Sequence, residues 1–276
     1  GFVFMMSALI AGGTTYLLRV IVVRKLGLDA AGIYQAACAL SIIYIGIILG
    51  AMGADFYPRL TGVASDNPAC NRLVNEQAEV GLLLAVPGIL TTLTLAPLVI
   101  QFFYSSQFLL AFDVLRWHIL GIFLRVICWP MGFIQLAKGK AAVFFLTQLT
   151  SNALHIFLFL IGIHYLGLVG TGMAFFGMYI FHCFLIFFVA KKLSGFSWSL
   201  ENLRLWLICI PSLAAVFLAT YAMSGVWSMA TGGIITLTMS IFCLKKLYNI
   251  LGFKNFPEFI AGIKSRLSSM RSSRDV

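Results

Sequence analysis

Apolar sequence runs almost without interruption from one end of this chain to the other. Eight stretches are apolar and long enough to cross a hydrocarbon core about 30 Å thick, at about 1.5 Å per helical residue. They are Phe2–Val23, Tyr34–Tyr57, Glu79–Tyr104, Leu109–Leu136, Ala141–His164, Val169–Val189, Leu203–Met223 and Met229–Leu247. With 61% hydrophobic and 10% charged residues and a mean hydropathy of +0.99, the sequence is that of a polytopic membrane protein. The runs are continuous and do not alternate, which predicts an all-α bundle of about eight transmembrane helices and not a β-barrel. No polar stretch is long enough for a soluble catalytic domain. The chain starts at Gly1 inside an apolar run, so further residues are expected before it, and nothing there reads as a secretory signal.

The basic residues predict orientation. Fourteen of the 19 Lys and Arg fall in one alternate set of connections and in the C-terminal tail, from Arg59 to Arg274, whereas Arg24 and Lys25 alone fall on the other side. Both ends of the chain are therefore expected in the cytoplasm, and the net charge of +10 is a topology signal and not a sign of nucleic-acid binding. Asp66-Asn67-Pro68 reads as a helix start, and Ala69–Ala78 as a short surface helix whose Arg72, Asn75, Glu76 and Glu79 form a solvated face. Residues Phe256 to Met270 repeat apolar side chains at helical spacing between basic ones, which predicts an interfacial tail helix.

One charge stands out by depth. Arg125 lies far from either end of Leu109–Leu136, where a cation costs at least ~2.5–3.5 kcal/mol. His118, Gly121, Cys128, Trp129 and Gly132 share its face, while Leu120, Leu124, Ile127, Met131 and Ile134 form an opposite face suited to lipid. Trp129-Pro130 predicts a kink just beyond the charge. Gln148, Ser151, Asn152 and His155 align on the fifth helix. Gly172, Tyr179 and His182 align more loosely on the sixth. Arg19 either snorkels to the headgroups or lines a cavity. The stripe from Tyr34 through Ser41 and Tyr44 to Asp55 either lines a cavity or packs, and packing is favoured. Asp113 and Arg116 read as a local ion pair. The six cysteines match no metal or redox spacing and read as small apolar side chains.

Motifs for nucleotide hydrolysis, zinc-dependent hydrolysis and serine hydrolysis are absent, and no carboxylate sits at depth, so no enzyme chemistry, metal or cofactor is expected. A fixed positive charge without deep negative charge favours an anionic ligand, and phosphate or pyrophosphate suits a guanidinium in a low-dielectric setting. An ion pair with a carboxylate before Gly1 is the alternative.

Four short motifs resemble a known family: R-K-L-G-L-D-A-A-G-I-Y-Q-A from Arg24, D-F-Y-P-R-L-T from Asp55, F-Y-S-S-Q-F from Phe103 and W-P-M-G-F from Trp129. Their order and spacing resemble the second half of Wzx-type O-antigen and polysaccharide flippases of the multidrug/oligosaccharidyl-lipid/polysaccharide exporter superfamily, over about Phe2 to Leu193. The resemblance implies a two-lobe transporter working by alternating access in the bacterial inner membrane. It would move an undecaprenyl-pyrophosphate-linked oligosaccharide for O-antigen or lipopolysaccharide biosynthesis. It further implies a six-helix lobe over residues 1–193, two additional helices over 194–249 and a basic tail over 250–276, with an N-terminal lobe outside this sequence. The expected partners are the lipid-linked oligosaccharide, membrane lipids, that N-terminal lobe and polysaccharide polymerase machinery. Arg125 and Arg19 would face the pyrophosphate, with His155, Asn152, Gln148 and Tyr44 lining the cavity. The rival readings are a multidrug/cation antiporter of the same superfamily, a membrane polysaccharide ligase or polymerase, and a remnant inactive alone.

Overall fold

The computed structural model describes residues 2–103, 110–223 and 225–251, and among these every regular element is a helix. Two of the continuous helices are too long for one crossing. Phe2–Gly62 has 61 residues and Ala141–Ser194 has 54, each well over twice the thickness of a hydrocarbon core at the helical rise. Each is broken once, at Gly27 (φ 91°, ψ 176°) and at Gly167 (φ 59°, ψ −138°). Both glycines stand in the pattern L-G-L-x-x-x-G, Leu26 to Gly32 and Leu166 to Gly172. A side chain is strained in such left-handed backbone, so glycine turns the chain in a single residue.

Dividing at these points gives eight helical segments: α1 (2–26), α2 (28–62), α3 (Asn67–Phe103), α4 (Ala111–Ala137), α5 (141–166), α6 (168–194), α7 (Leu200–Ala222) and α8 (Gly225–Leu251). Their number agrees with the eight apolar runs. The loop expected between Val23 and Tyr34 is replaced by helix on both sides of Gly27, with Arg24, Lys25 and Asp29 exposed on it. The expected turn at Tyr104–Gln107, the F-Y-S-S-Q-F motif beyond Phe103 and the interfacial tail helix lie outside the described residues.

The short surface helix expected at Ala69–Ala78 is instead the first part of α3. Asp66 caps α3, its Oδ1 accepting from the Ala69 amide at 3.0 Å, and the helix then runs through Pro87 and Pro97 to Phe103. At 37 residues it is about 55 Å long. Its first turns gather the loops at one end of the bundle. Lys138 Nζ donates to the Ala64 carbonyl at 2.7 Å and to Asn67 Oδ1 at 2.6 Å. Asn71 donates to the Ser194 carbonyl at 2.9 Å and accepts from the Ser194 hydroxyl at 2.7 Å. Asn75 donates to the Ser197 carbonyl at 3.0 Å and accepts from the Ser199 amide at 2.8 Å and the Asn202 side chain at 3.0 Å. The face expected to be solvated is therefore split. Arg72 and Glu76 remain exposed, while Asn75 and Glu79 hold other elements.

α4 is the central helix. Ile127, Met131 and Ile134, on the face expected to meet lipid, are 7%, 1% and 0% exposed. The correction has a simple cause: hydrocarbon and the apolar side of a neighbouring helix are equally good solvents for Leu and Ile, so composition cannot tell them apart. α7 and α8 pack on α3, through Thr94 and Thr236 (3.1 Å between hydroxyls) and Glu79 and Lys246 (2.9 Å). Arg116 pairs with Asp113 at 3.4 Å, as the spacing predicts, and its guanidinium lies between the rings of Phe112 and Tyr221, at 4.3 and 4.2 Å.

Candidate functional site

Arg125 sits ~18 Å along α4 from the helix end at Ala137. It is half-buried, and among the described residues its guanidinium makes no hydrogen bond and no ion pair. The carboxylate on its own helix, Asp113, is already engaged by Arg116. The guanidinium lies within electrostatic reach of Tyr179 and His182 on α6 and of Cys128 on α4. A cation held at mid-helix without an internal counter-ion is costly unless something else supplies negative charge.

α6 is held to α4 at this level. Cys183 Sγ contacts the Leu124 carbonyl at 3.3 Å, one residue from the arginine, and Cys128 Sγ contacts the Arg125 carbonyl at 3.5 Å. From the other side, α5 fixes His182. Ser151 Oγ lies 2.7 Å from His182 Nδ1 and also donates to the Thr147 carbonyl at 2.8 Å. Thr147 Oγ1 in turn reaches Gln135 Oε1 of α4 at 3.2 Å. A ladder of hydroxyls and amides thus joins α4, α5 and α6 around the arginine.

The residues expected on sequence grounds do not all gather here. Ser151 is buried and reaches this group. His155 is buried one turn further on, against the rings of Phe159 and Phe175, and its Nε2 has no partner among the described residues. Asn152 and Gln148 are half-buried, and the Asn152 amide donates back to the Gln148 carbonyl at 2.8 Å. Tyr44 belongs to a helix contact. Its ring lies against Gly88 of α3, where any side chain would collide with it, and its hydroxyl donates to the Leu84 carbonyl at 2.7 Å. Arg19 is exposed on α1 and acts on Tyr34 and Cys38, not on the groups around Arg125.

Between these two arginines lies a buried cluster around His118. The ring stacks on Phe175 at 4.2 Å, Nδ1 lies 3.5 Å from Ser41 Oγ and Nε2 3.9 Å from Cys38 Sγ. Each polar atom has a neighbour, so this cluster accounts for itself as α2–α4–α6 packing.

His182 and Ser151 are the functional candidates that alignment on single helices ranks too low. The signal lay in their spacing about Gly167. Ser151 precedes it and His182 follows it by nearly equal lengths, so an antiparallel pair turning at that glycine sets them level. A separate cavity of about 350 Å³ lies between α4, α6 and α7, lined by apolar side chains including Leu120, Phe123, Phe176 and Phe217. Among the described residues no cluster of His, Cys, Asp and Glu could hold a metal ion.

Comparisons with known proteins place this geometry. Residues 1–113 match the family described as "Polysaccharide biosynthesis protein". A search of curated proteins found no match. Among solved structures the chain is similar to "Lipid II flippase MurJ, inward closed conformation", with a TM-score of 0.69 and 17% identity. The alignment covers 89% of this chain and 53% of that one, so the chain spans about half the length of the flippase it matches. Sequence pattern and helix arrangement thus agree with the motif-based resemblance, and the chain has the helical fold of the lipid-flippase branch of the exporter superfamily.

Proposed function

We propose that this chain is the C-terminal lobe of a transporter that flips an undecaprenyl-pyrophosphate-linked oligosaccharide, an O-antigen or related unit, across the bacterial inner membrane by alternating access. The observation that carries the reading is Arg125, at mid-helix, half-buried and without an internal anion among the described residues. A pyrophosphate supplies the missing charge and, through charge-assisted bonds, offsets the cost of placing the cation there. A cation antiporter would call for the opposite, a deep carboxylate. The apolar cavity between α4, α6 and α7 is chemically suited to a prenyl chain. In this reading residues 1–193 form the lobe, 194–249 the additional pair of helices and 250–276 a basic tail at the cytoplasmic leaflet, with both ends of the chain cytoplasmic.

The test is Arg125→Gln, with Arg125→Lys beside it, in the whole protein expressed in a flippase-deficient host. Surface polysaccharide is measured at equal membrane abundance. Gln is expected to abolish output and Lys to retain part of it, because the ammonium keeps the charge and loses the two-pronged geometry. Wild-type output from the Gln variant would overturn the reading.

A further inference from the structure

Ser151 has one hydroxyl proton, and its partners determine where that proton goes. The Thr147 carbonyl, 2.8 Å away, can only accept, so the proton is spent there. Towards His182 Nδ1, at 2.7 Å, the same oxygen must therefore accept. This assigns the histidine proton to Nδ1 and leaves Nε2, on the ring edge turned away from α5, with a bare lone pair. No protein donor fills it among the described residues, although Arg125 is within electrostatic reach on α4. A histidine so oriented, at mid-membrane and beside an arginine with no counter-ion, has an idle nitrogen.

We propose that His182, oriented by Ser151, is the second anchor of the Arg125 anion site and takes up a proton at Nε2 when a diphosphate binds. The proposal rests on the diphosphate reading above. A diphosphate esterified at both ends carries two negative charges and no proton of its own at neutral pH, so it can only accept hydrogen bonds. Arg125 donates to one such anion without change. His182 donates only after gaining a proton at Nε2, which makes it an imidazolium still bonded to Ser151 through Nδ1–H. Arg125 and His182 then neutralise the two charges. The other titratable groups at this level are Cys128 on α4 and Tyr179 and Cys183 on α6. α5 contributes the neutral Ser151 and, one turn on, His155.

The two amide replacements of histidine separate binding from support. His182→Asn places its amide where Nδ1 was and preserves the bond to Ser151. His182→Gln extends a donor to the position of Nε2. The probe is a farnesyl-diphospho-N-acetylglucosamine titrated into the whole protein in nanodiscs. Dissociation constants are read between pH 6.5 and 8 for wild type, both His182 variants and Arg125→Gln.

Wild-type affinity is expected to fall by up to about tenfold per pH unit, the limit for uptake of one proton. His182→Asn should bind at least about tenfold more weakly than wild type at pH 6.5. His182→Gln should keep most of that affinity with a flat pH profile. If His182→Asn binds like wild type while Arg125→Gln does not, His182 is a packing residue and the proposal is wrong, with the arginine reading intact. If both His182 variants keep the wild-type pH profile, the proton goes elsewhere and the proposal is also wrong. If Arg125→Gln binds like wild type, the arginine reading itself fails.

Discussion

Lys246 of α8 places its Nζ 2.9 Å from Glu79 Oε1 of α3, with side chains 24% and 17% exposed. Glu201 of α7 approaches the same ammonium at 3.8 Å and is itself bonded to Arg204 at 2.8 Å. The last two helices are thus tied to the third by a charge that neither could bury alone. Removing one member strands the other, as in Lys246→Met or Glu79→Gln. An exposed pair contributes up to ~1 kcal/mol and breaking a fully buried one costs ~3–5 kcal/mol, so this half-covered pair should cost between those bounds. Thermal unfolding of the single variants and the double variant in detergent checks this. The double variant should be more stable than the sum of the singles predicts, because it leaves no stranded charge.

Gly27 and Gly167 make the two one-residue reversals. Replacing either by alanine forces a Cβ into backbone that L residues avoid, at ~1–3 kcal/mol each, although nothing lies within 4 Å of the added atom. Gly233, in ordinary helix and also open for 4 Å around, is the control. Alanine there should be neutral or slightly stabilising. Equal monodisperse yield for all three variants would show that the reversals tolerate a side chain.

These reversals also mark what was legible in the chain. The eight segments follow from hydropathy, because the bilayer sets the length of every span. The turn at Gly27 did not follow, because Arg24, Lys25 and Asp29 look like loop residues when they are the exposed ends of two helices. Arg125 was legible because depth alone makes a charge conspicuous. Asn75 was not: its partners Ser197, Ser199 and Asn202 lie more than a hundred residues away, and periodicity carries no information at that range. His182 stood between these cases, since its pairing with Ser151 needs the position of one glycine as well as the helical faces.

Asn75 satisfies the 195–199 linker almost by itself. Asn75→Ala would leave the Ser199 amide, the Ser197 carbonyl and the Asn202 side chain without these partners, and each buried loss costs ~1–3 kcal/mol where water cannot replace it. Since part of this site is exposed, the expected effect is local opening and not global unfolding. Limited proteolysis should then cut between residues 195 and 199 in the variant at protease levels that spare the wild type. Unchanged cleavage would mean that α7 is held by its apolar face alone.

Arg116 has a different economy from Arg125. Its guanidinium is flanked by Phe112 and Tyr221 and paired with Asp113, and its side chain is 11% exposed. Its Nε is buried with no hydrogen bond among the described residues, so the rings and the carboxylate carry its stabilisation. Each desolvated cation–π contact is worth ~2 kcal/mol at most. Tyr221 belongs to α7, so the sandwich also ties that helix to α4. Arg116→Met keeps the packing volume and removes the charge, leaving Asp113 unpaired but 38% exposed and able to meet water. The expected loss is therefore ~1–2 kcal/mol of stability, well short of a stranded buried charge. Transport should survive in proportion to protein abundance, in contrast to Arg125→Gln. A variant that is stable and abundant yet inactive would show that Arg116 also meets the ligand.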